Sequence, residues 1–236
     1  MKITKVLINK DTKYYYKGQD MHTKDGLIKS KDIESKQKVK SNKGEEFYVL
    51  DADFIDRLQR LKRGPQIILP KDIGYILANT PITKDSQVLE AGTGSAFLSV
   101  HLARFVNKVY SYERDKRFYT LAKQNIEDMD IKNITLVNQD VYKKITQKNL
   151  DLAVLDLPEP QKALKNLKAS LKRGGYLVCY LPTISQIEVL LKKIDRFVHI
   201  KTVELLERNW QTDKDKVRPK SQMIAHTAFL CFLRKV

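Results

Sequence analysis

Cysteine is scarce in this chain: its 236 residues hold two, Cys179 and Cys231. Both lie in apolar runs and neither has metal-ligand spacing, so no metal centre is expected and buried thiols are. A disulfide between them is the open alternative, disfavoured in a reducing compartment. No run of about 18 apolar residues occurs, so no membrane-spanning helix is expected. The first residues, MKITKVLINKDTK, lack the apolar core and small-residue cleavage site of a signal peptide. Both absences lead to the expectation of a cytoplasmic protein. Internal repeats and low-complexity tracts are also missing.

Positive charge, in contrast, is plentiful. Lys and Arg number 44 against 28 Asp and Glu, a formal net charge of +16. Such an excess suits a polyanionic partner, because each phosphate neutralised releases counterions. The alternative is a basic surface that serves solubility alone. Hydrophobic content is 42%, enough to build a core.

Residues 1–62 differ from the rest. KITKVLINK alternates polar and apolar, Tyr14 to Tyr16 form a second β-prone run, and Phe47 to Leu50 a third. Lys29 to Lys43 is lysine-rich and ends in a turn at Ser41 to Gly44. A small β domain of hairpins is expected, its lysines facing either phosphate or solvent. Asp51 is read as the N-cap of a helix carrying Phe54, Ile55, Leu58 and Leu61. Residues 63–80 form a linker and entry helix: RGPQIILPKD is broken by Pro65 and Pro70, and a helix resumes at Ile73.

From residue 81 to 236 the pattern is that of an α/β domain. Strands are expected at Gln87 to Leu89, Val109 to Glu113, Ile134 to Asp140, Leu150 to Pro158 and Gly175 to Pro182, with helices between them. This order implies a parallel sheet covered on both faces. HIKTVELLERNW and MIAHTAFLCFL follow with no helix between them and predict an antiparallel end to the sheet.

The first of these strands runs into EAGTGSAF, Glu90 to Phe97. Gly92 and Gly94 allow a tight turn and close backbone approach to a ligand. A dinucleotide fingerprint would need a third glycine where Phe97 stands. The acid-led E-x-G-x-G-S pattern is similar instead to the first motif of S-adenosylmethionine-dependent methyltransferases, many of which have glycine where this chain has Ala96. Ligands of open α/β sheets sit beyond the carboxyl ends of the strands. Three acids fall there, Glu113, Asp140 and Asp156. Each alone could cap the helix that follows; together, beside a glycine turn, they point to a cofactor site. Glu113 could accept two ribose hydroxyls and Asp140 an adenine amino group.

RGPQIILPKD, EAGTGS, DLPEP, ERNWQ, Arg218-Pro219 and MIAHTAFL, in this order, resemble the tRNA adenine-N1 methyltransferases, which act at position 58 of the T-loop and in archaeal relatives also at 57. The resemblance implies a Rossmann-like class I methyltransferase domain with an antiparallel last strand, preceded by a small β domain, in a homotetramer that binds tRNA. It implies S-adenosyl-L-methionine as cofactor, lined by Gln66, Glu90, Gly92, Thr93, Gly94, Ser95, Ala96, Phe97, Glu113, Asp140, Val141 and Asp156. Asp156 would also stand against the target adenine as the catalytic residue. Two positions depart from the pattern: Gln161 follows DLPEP where Trp is usual, and Leu69 precedes PKD where Tyr or His is common. His226, in the last motif, is read as structural, and Arg208 and Arg218 as phosphate contacts. The competing readings are a non-catalytic tRNA-binding subunit, and a methyltransferase of a protein or small molecule.

Overall fold

A computed structural model describes all residues except Met1, Asp11, Pro65, Lys214 and Asp215; the side chain of Asp213 is also outside the description. The proposed proline break at Pro65 therefore lies outside the described residues. By internal packing the chain divides into Met1–Lys62 with Glu127–Asp130, and Arg63–Ile126 with Ile131–Val236.

The first unit holds β1 (Lys5–Ile8), β2 (Lys13–Tyr16), β3 (Met21–Thr23), β4 (Gly26–Ile28), α1 (Ser30–Ser35), β5 (Lys38–Lys40), β6 (Glu46–Asp51) and α2 (Phe54–Leu58). Four strands make an antiparallel sheet in the order β2-β1-β6-β5, and β3 pairs with β4. Period-two alternation in β6 sends Phe47 and Val49 inward and leaves Tyr48 and Leu50 exposed. The inward residues pack with Leu7, Tyr16, Ile28, Ile33 and Val39. Two local expectations need correction. The N-cap of α2 is Asp53, not Asp51, because Asp53 and Asp56 close a reciprocal capping box. The lysine-rich stretch also carries α1 and β5, held by Ile33 and Val39 facing the core.

The second unit begins with α3 (Pro70–Ala78), which starts three residues earlier than Ile73 because Pro70 occupies its first turn, where a missing N–H costs nothing. Then follow β7 (Gln87–Ala91), α4 (Phe97–Leu102), β8 (Lys108–Tyr112), α5 (Lys116–Met129), β9 (Ile134–Val137) and β10 (Leu150–Leu155). A 3-10 turn at Pro160–Ala163 leads into α6 (Leu164–Ser170), β11 (Leu171–Leu181), α7 (Ile184–Leu191) and β12 (Phe197–Glu204). Last come β13 (Trp210–Asp213), β14 (Lys216–Pro219) and β15 (Phe229–Lys235).

The main sheet runs β12-β15-β11-β10-β7-β8-β9, with β15 antiparallel to both neighbours. β10 is apolar almost throughout and buried, as a strand covered on both faces should be. The C-terminal strand expectations were too long. Residues 205–209 and 223–228 are not strand, and a separate hairpin, β13 with β14, stands between β12 and β15. Cys179 and Cys231 are direct cross-strand partners on β11 and β15; both are buried and free.

Candidate active site

β7 is the strand from which the chain turns both ways: β8 lies on one side of it and β10 on the other. A reversal of strand order opens a crevice at the carboxyl ends, where a loop can reach a ligand. The loop after β7 is the glycine motif. Gly92 N–H and Thr93 N–H bond the Tyr112 carbonyl, at 3.1 and 3.4 Å, and Asp156 N–H bonds the Ala91 carbonyl at 2.9 Å. Gly92 has φ +91°, and a Cβ there would collide with the Asp156 carbonyl. Glycine is thus required twice over, by the dihedral and by the neighbour.

A cleft of about 350 Å³ opens above this loop. Of the residues proposed from sequence, it gathers Gln66, Glu90, Gly92, Thr93, Gly94, Ser95, Phe97, Glu113 and Asp156. Asp140 and Val141 are not in it. They line an adjoining hollow that shares Gly92, Glu113 and Leu157 with the cleft. The two stand apart because β9 ends at Val137 and the chain runs on to Asp140, whose Oδ1 accepts from Tyr142 N–H at 2.9 Å. Ala96 lines neither space. It is fully buried and holds φ +62° at the start of α4, a left-handed conformation that glycine adopts more readily than alanine.

Each acid has a different environment. Glu113 is buried, and its two oxygens accept from Gly94 N–H at 3.0 Å and Asp115 N–H at 2.9 Å, which fixes the carboxylate toward the loop. Glu90 lies beneath the loop and accepts from the hydroxyls of Ser99 and Ser111, the latter at 2.8 Å. Burial pushes its pKa up to about 7, partly offset by those hydroxyls and reinforced by the charges of Asp156 and Glu113. Asp156 follows β10 directly. Its carboxylate has no hydrogen-bond partner among the described residues, and burial raises it to about 6.

Sequence reasoning missed much of the cleft wall. Ile67, Ile68, Leu98, Leu157, Tyr180, Pro182 and Thr227 complete it. Linker residues Gln66 to Ile68 line the cleft, whereas Leu69 does not; it is the half-buried N-cap of α3. The Tyr180 hydroxyl is buried and makes no hydrogen bond of good geometry among the described residues; burial pushes its pKa up to about 12, with the Thr227 side chain opposing the rise. Thr227 gives its proton to Asp72 at 3.2 Å and accepts from Lys71 at 2.8 Å, so the PKD segment is tied to the chain just before β15. The apolar period inside β11 could have marked Tyr180 as buried, but nothing local to it signals a cleft.

A seven-stranded sheet with one antiparallel strand, a glycine loop after its central strand and an acid at the next strand end define a Rossmann-like class I methyltransferase. Comparison with known proteins narrows the class. Residues 57–229 match the family described as tRNA methyltransferase complex GCD14 subunit, and the chain belongs to that family. It is 34% identical to a tRNA (adenine(57)-N(1)/adenine(58)-N(1))-methyltransferase TrmI of Methanocaldococcus jannaschii, over 89% of this chain and 86% of that one. Among solved structures, tRNA (m1A58) methyltransferase TrmI from Aquifex aeolicus superposes with a TM-score of 0.85 and 30% identity, covering 100% of this chain and 98% of that one. A SAM-dependent O-methyltransferase from Thermotoga maritima gives a TM-score of 0.90 and 28% identity, covering 99% and 93%.

Proposed function

We infer that this protein is an S-adenosyl-L-methionine-dependent tRNA (adenine-N1)-methyltransferase, forming 1-methyladenosine at position 58 of the T-loop, with position 57 as a second site. The observation that carries the catalytic reading is Asp156: an unpartnered, recessed carboxylate in the same cleft as the glycine loop. Retention of this whole constellation favours an enzyme over a non-catalytic tRNA-binding subunit.

The cleft fits the methyl donor. Gly92 leaves bare backbone where a side chain cannot stand, and Glu113 is held at the loop by Gly94 N–H. Gln66, Glu90, Thr93, Gly94, Ser95, Phe97 and Glu113 would hold it, with Asp140 and Val141 in the adjoining hollow taking its adenine end. When bound, S-adenosylmethionine supplies an electrophilic sulfonium methyl group.

Adenine N1 has an in-plane lone pair, so the protein needs no covalent nucleophile. What the chain must do is align that lone pair and keep water out. An adenine in a folded T-loop is not free, so it has to be extruded to reach the cleft. Ile67, Ile68 and Leu157 offer it an aliphatic wall. Asp156 accepts a hydrogen bond from the N6 amino group, which orients the ring and disfavours guanine, whose O6 is itself an acceptor. N1 methylation leaves the ring cationic, and the same carboxylate stabilises that developing charge. Burial raises its pKa only to about 6, so Asp156 remains ionised at neutral pH.

The charge of +16 supplies the attraction for the tRNA backbone, and the 1–62 β domain is proposed to share in it. Arg208 and Arg218 are both exposed, as phosphate contacts must be. The same reading has the chain working as a cytoplasmic homotetramer. Exposed Leu206, Trp210, Val217, Met223 and Ile224, on and beside the β13–β14 hairpin, provide apolar surface for subunit contact. Incubation with labelled S-adenosylmethionine and unmodified tRNA, then digestion to nucleosides, tests the function. Label in 1-methyladenosine is expected; label elsewhere, or none, overturns it.

A further inference from the structure

β15 enters the sheet between β12 and β11 and runs against both. Its first residue, Phe229, is paired with Leu181 on one side and Glu204 on the other. His226, three residues earlier, therefore stands over the carboxyl ends of both neighbours, at the end of the sheet where the cleft opens. Its ring reaches each of them. Nδ1 lies 2.5 Å from Oε1 of Glu204 and Nε2 lies 2.7 Å from the carbonyl oxygen of Pro182.

Both partners are acceptors. A neutral imidazole has one N–H and can satisfy only one of them, whereas the imidazolium satisfies both. Pro182 lines the same cleft as Asp156, and Thr227, next to His226, lines it too. Beyond Pro182, Thr183 and Gln186 form the capping box of α7, and Gln186 Nε2 bonds the Pro158 carbonyl of DLPEP at 3.1 Å. A chain of hydrogen bonds and short covalent steps thus runs from His226 to the loop that carries Asp156.

We propose that His226 is a positioning residue for methyl transfer: as an imidazolium bridging Glu204 and Pro182, it fixes the Pro182 rim and, through Gln186 and Pro158, the loop that presents Asp156. The proposal rests on the methyltransferase reading above. The charged groups facing the ring agree with it. Glu204 on β12 raises the His226 pKa through its hydrogen bond, the Pro182 carbonyl adds to that, and partial burial and the Lys71 ammonium on α3 oppose it. Lys71 is itself bonded to Asp72 at 2.8 Å, which blunts its effect.

The experiment follows ring protonation and turnover together in the full-length protein. Nitrogen chemical shifts of His226 should show both ring nitrogens protonated at pH 6. The wild-type kcat should fall roughly tenfold as pH rises through the raised His226 pKa, with S-adenosylmethionine affinity unchanged. Glu204→Gln should abolish that alkaline limb, because a neutral ring can then donate to Pro182 and accept from the new amide. His226→Ala should lower kcat by a similar factor at all pH values without weakening cofactor binding. A singly protonated ring at pH 6, a limb that survives in Glu204→Gln, or a His226→Ala enzyme with wild-type kcat overturns the proposal. Should His226→Ala fail to fold, the Glu204→Gln profile decides. If the wild type forms no 1-methyladenosine, the functional reading fails, while the nitrogen shifts still judge the bridge.

Discussion

The backbone carbonyl of Asp156 occupies the space that a side chain at Gly92 would need. Adjacent strands β7 and β10 deliver the two residues to one point, with Asp156 N–H bonded to the Ala91 carbonyl at 2.9 Å. The glycine loop and the acid thus cannot move independently. Gly92→Ala must displace one or the other and also place alanine at φ +91°. We expect loss of S-adenosylmethionine binding by at least tenfold, with a destabilisation of roughly 2 kcal/mol or more. Calorimetric titration and thermal unfolding measure the two separately.

The proposed role of Asp156 predicts the acid side of the pH profile. Burial raises it to about 6, and in the proposed mechanism its ionised form accepts from the adenine amino group. Below pH 6 the carboxyl is protonated and kcat should fall tenfold per pH unit. Asp156→Asn should lower kcat about a hundredfold at pH 8, because the amide cannot offset the positive ring, and should flatten the acid limb. Single-turnover methylation of tRNA between pH 5 and 9 distinguishes these outcomes.

Glu90 makes a different, thermodynamic prediction. Its pKa rises on folding from 4.5 to about 7, so the folded state holds the proton more tightly than the unfolded chain. Its favourable contribution is complete below pH 4.5 and is lost as pH rises to 7. Glu90→Gln removes the titration while keeping an acceptor for Ser99 and Ser111. The variant should match the wild type near pH 4.5 and be more stable by about 2–3 kcal/mol above pH 7. Urea unfolding of the cofactor-free protein across this range tests it.

Tyr180 separates binding from folding. A buried hydroxyl without a well-formed hydrogen bond costs about 1–3 kcal/mol, so Tyr180→Phe should not destabilise the protein and should raise its melting temperature slightly. If substrate supplies the missing partner, the same variant loses activity, by about tenfold in kcat/KM. Thermal unfolding and turnover of one preparation give both readouts; a less stable but fully active variant would contradict the assignment.

Much of this protein is written in local pattern. Alternating strand and helix signals and an apolar β10 dictate a parallel sheet, because a strand covered on both faces has to be apolar throughout. Gly92 and Gly94 mark the loop after β7, and the acids Glu113 and Asp156 directly follow their strands, since strand ends are legible where an apolar run stops. Helix boundaries were less so: Asp51 and Asp53 are both competent caps, and only the reciprocal bond with Asp56 chose between them. What tertiary structure alone decided is which residues share a space. Asp140 and Val141 belong to a hollow beside the cleft, and Ala96 to neither, because loop paths beyond a strand depend on contacts distant in sequence. Tyr180 in the wall and His226 between Glu204 and Pro182 have no local signature. Both positions follow from β15 inserting between β11 and β12, which pairs Phe229 with Leu181 on one side and with Glu204 on the other, segments too far apart for any short window of sequence to contain.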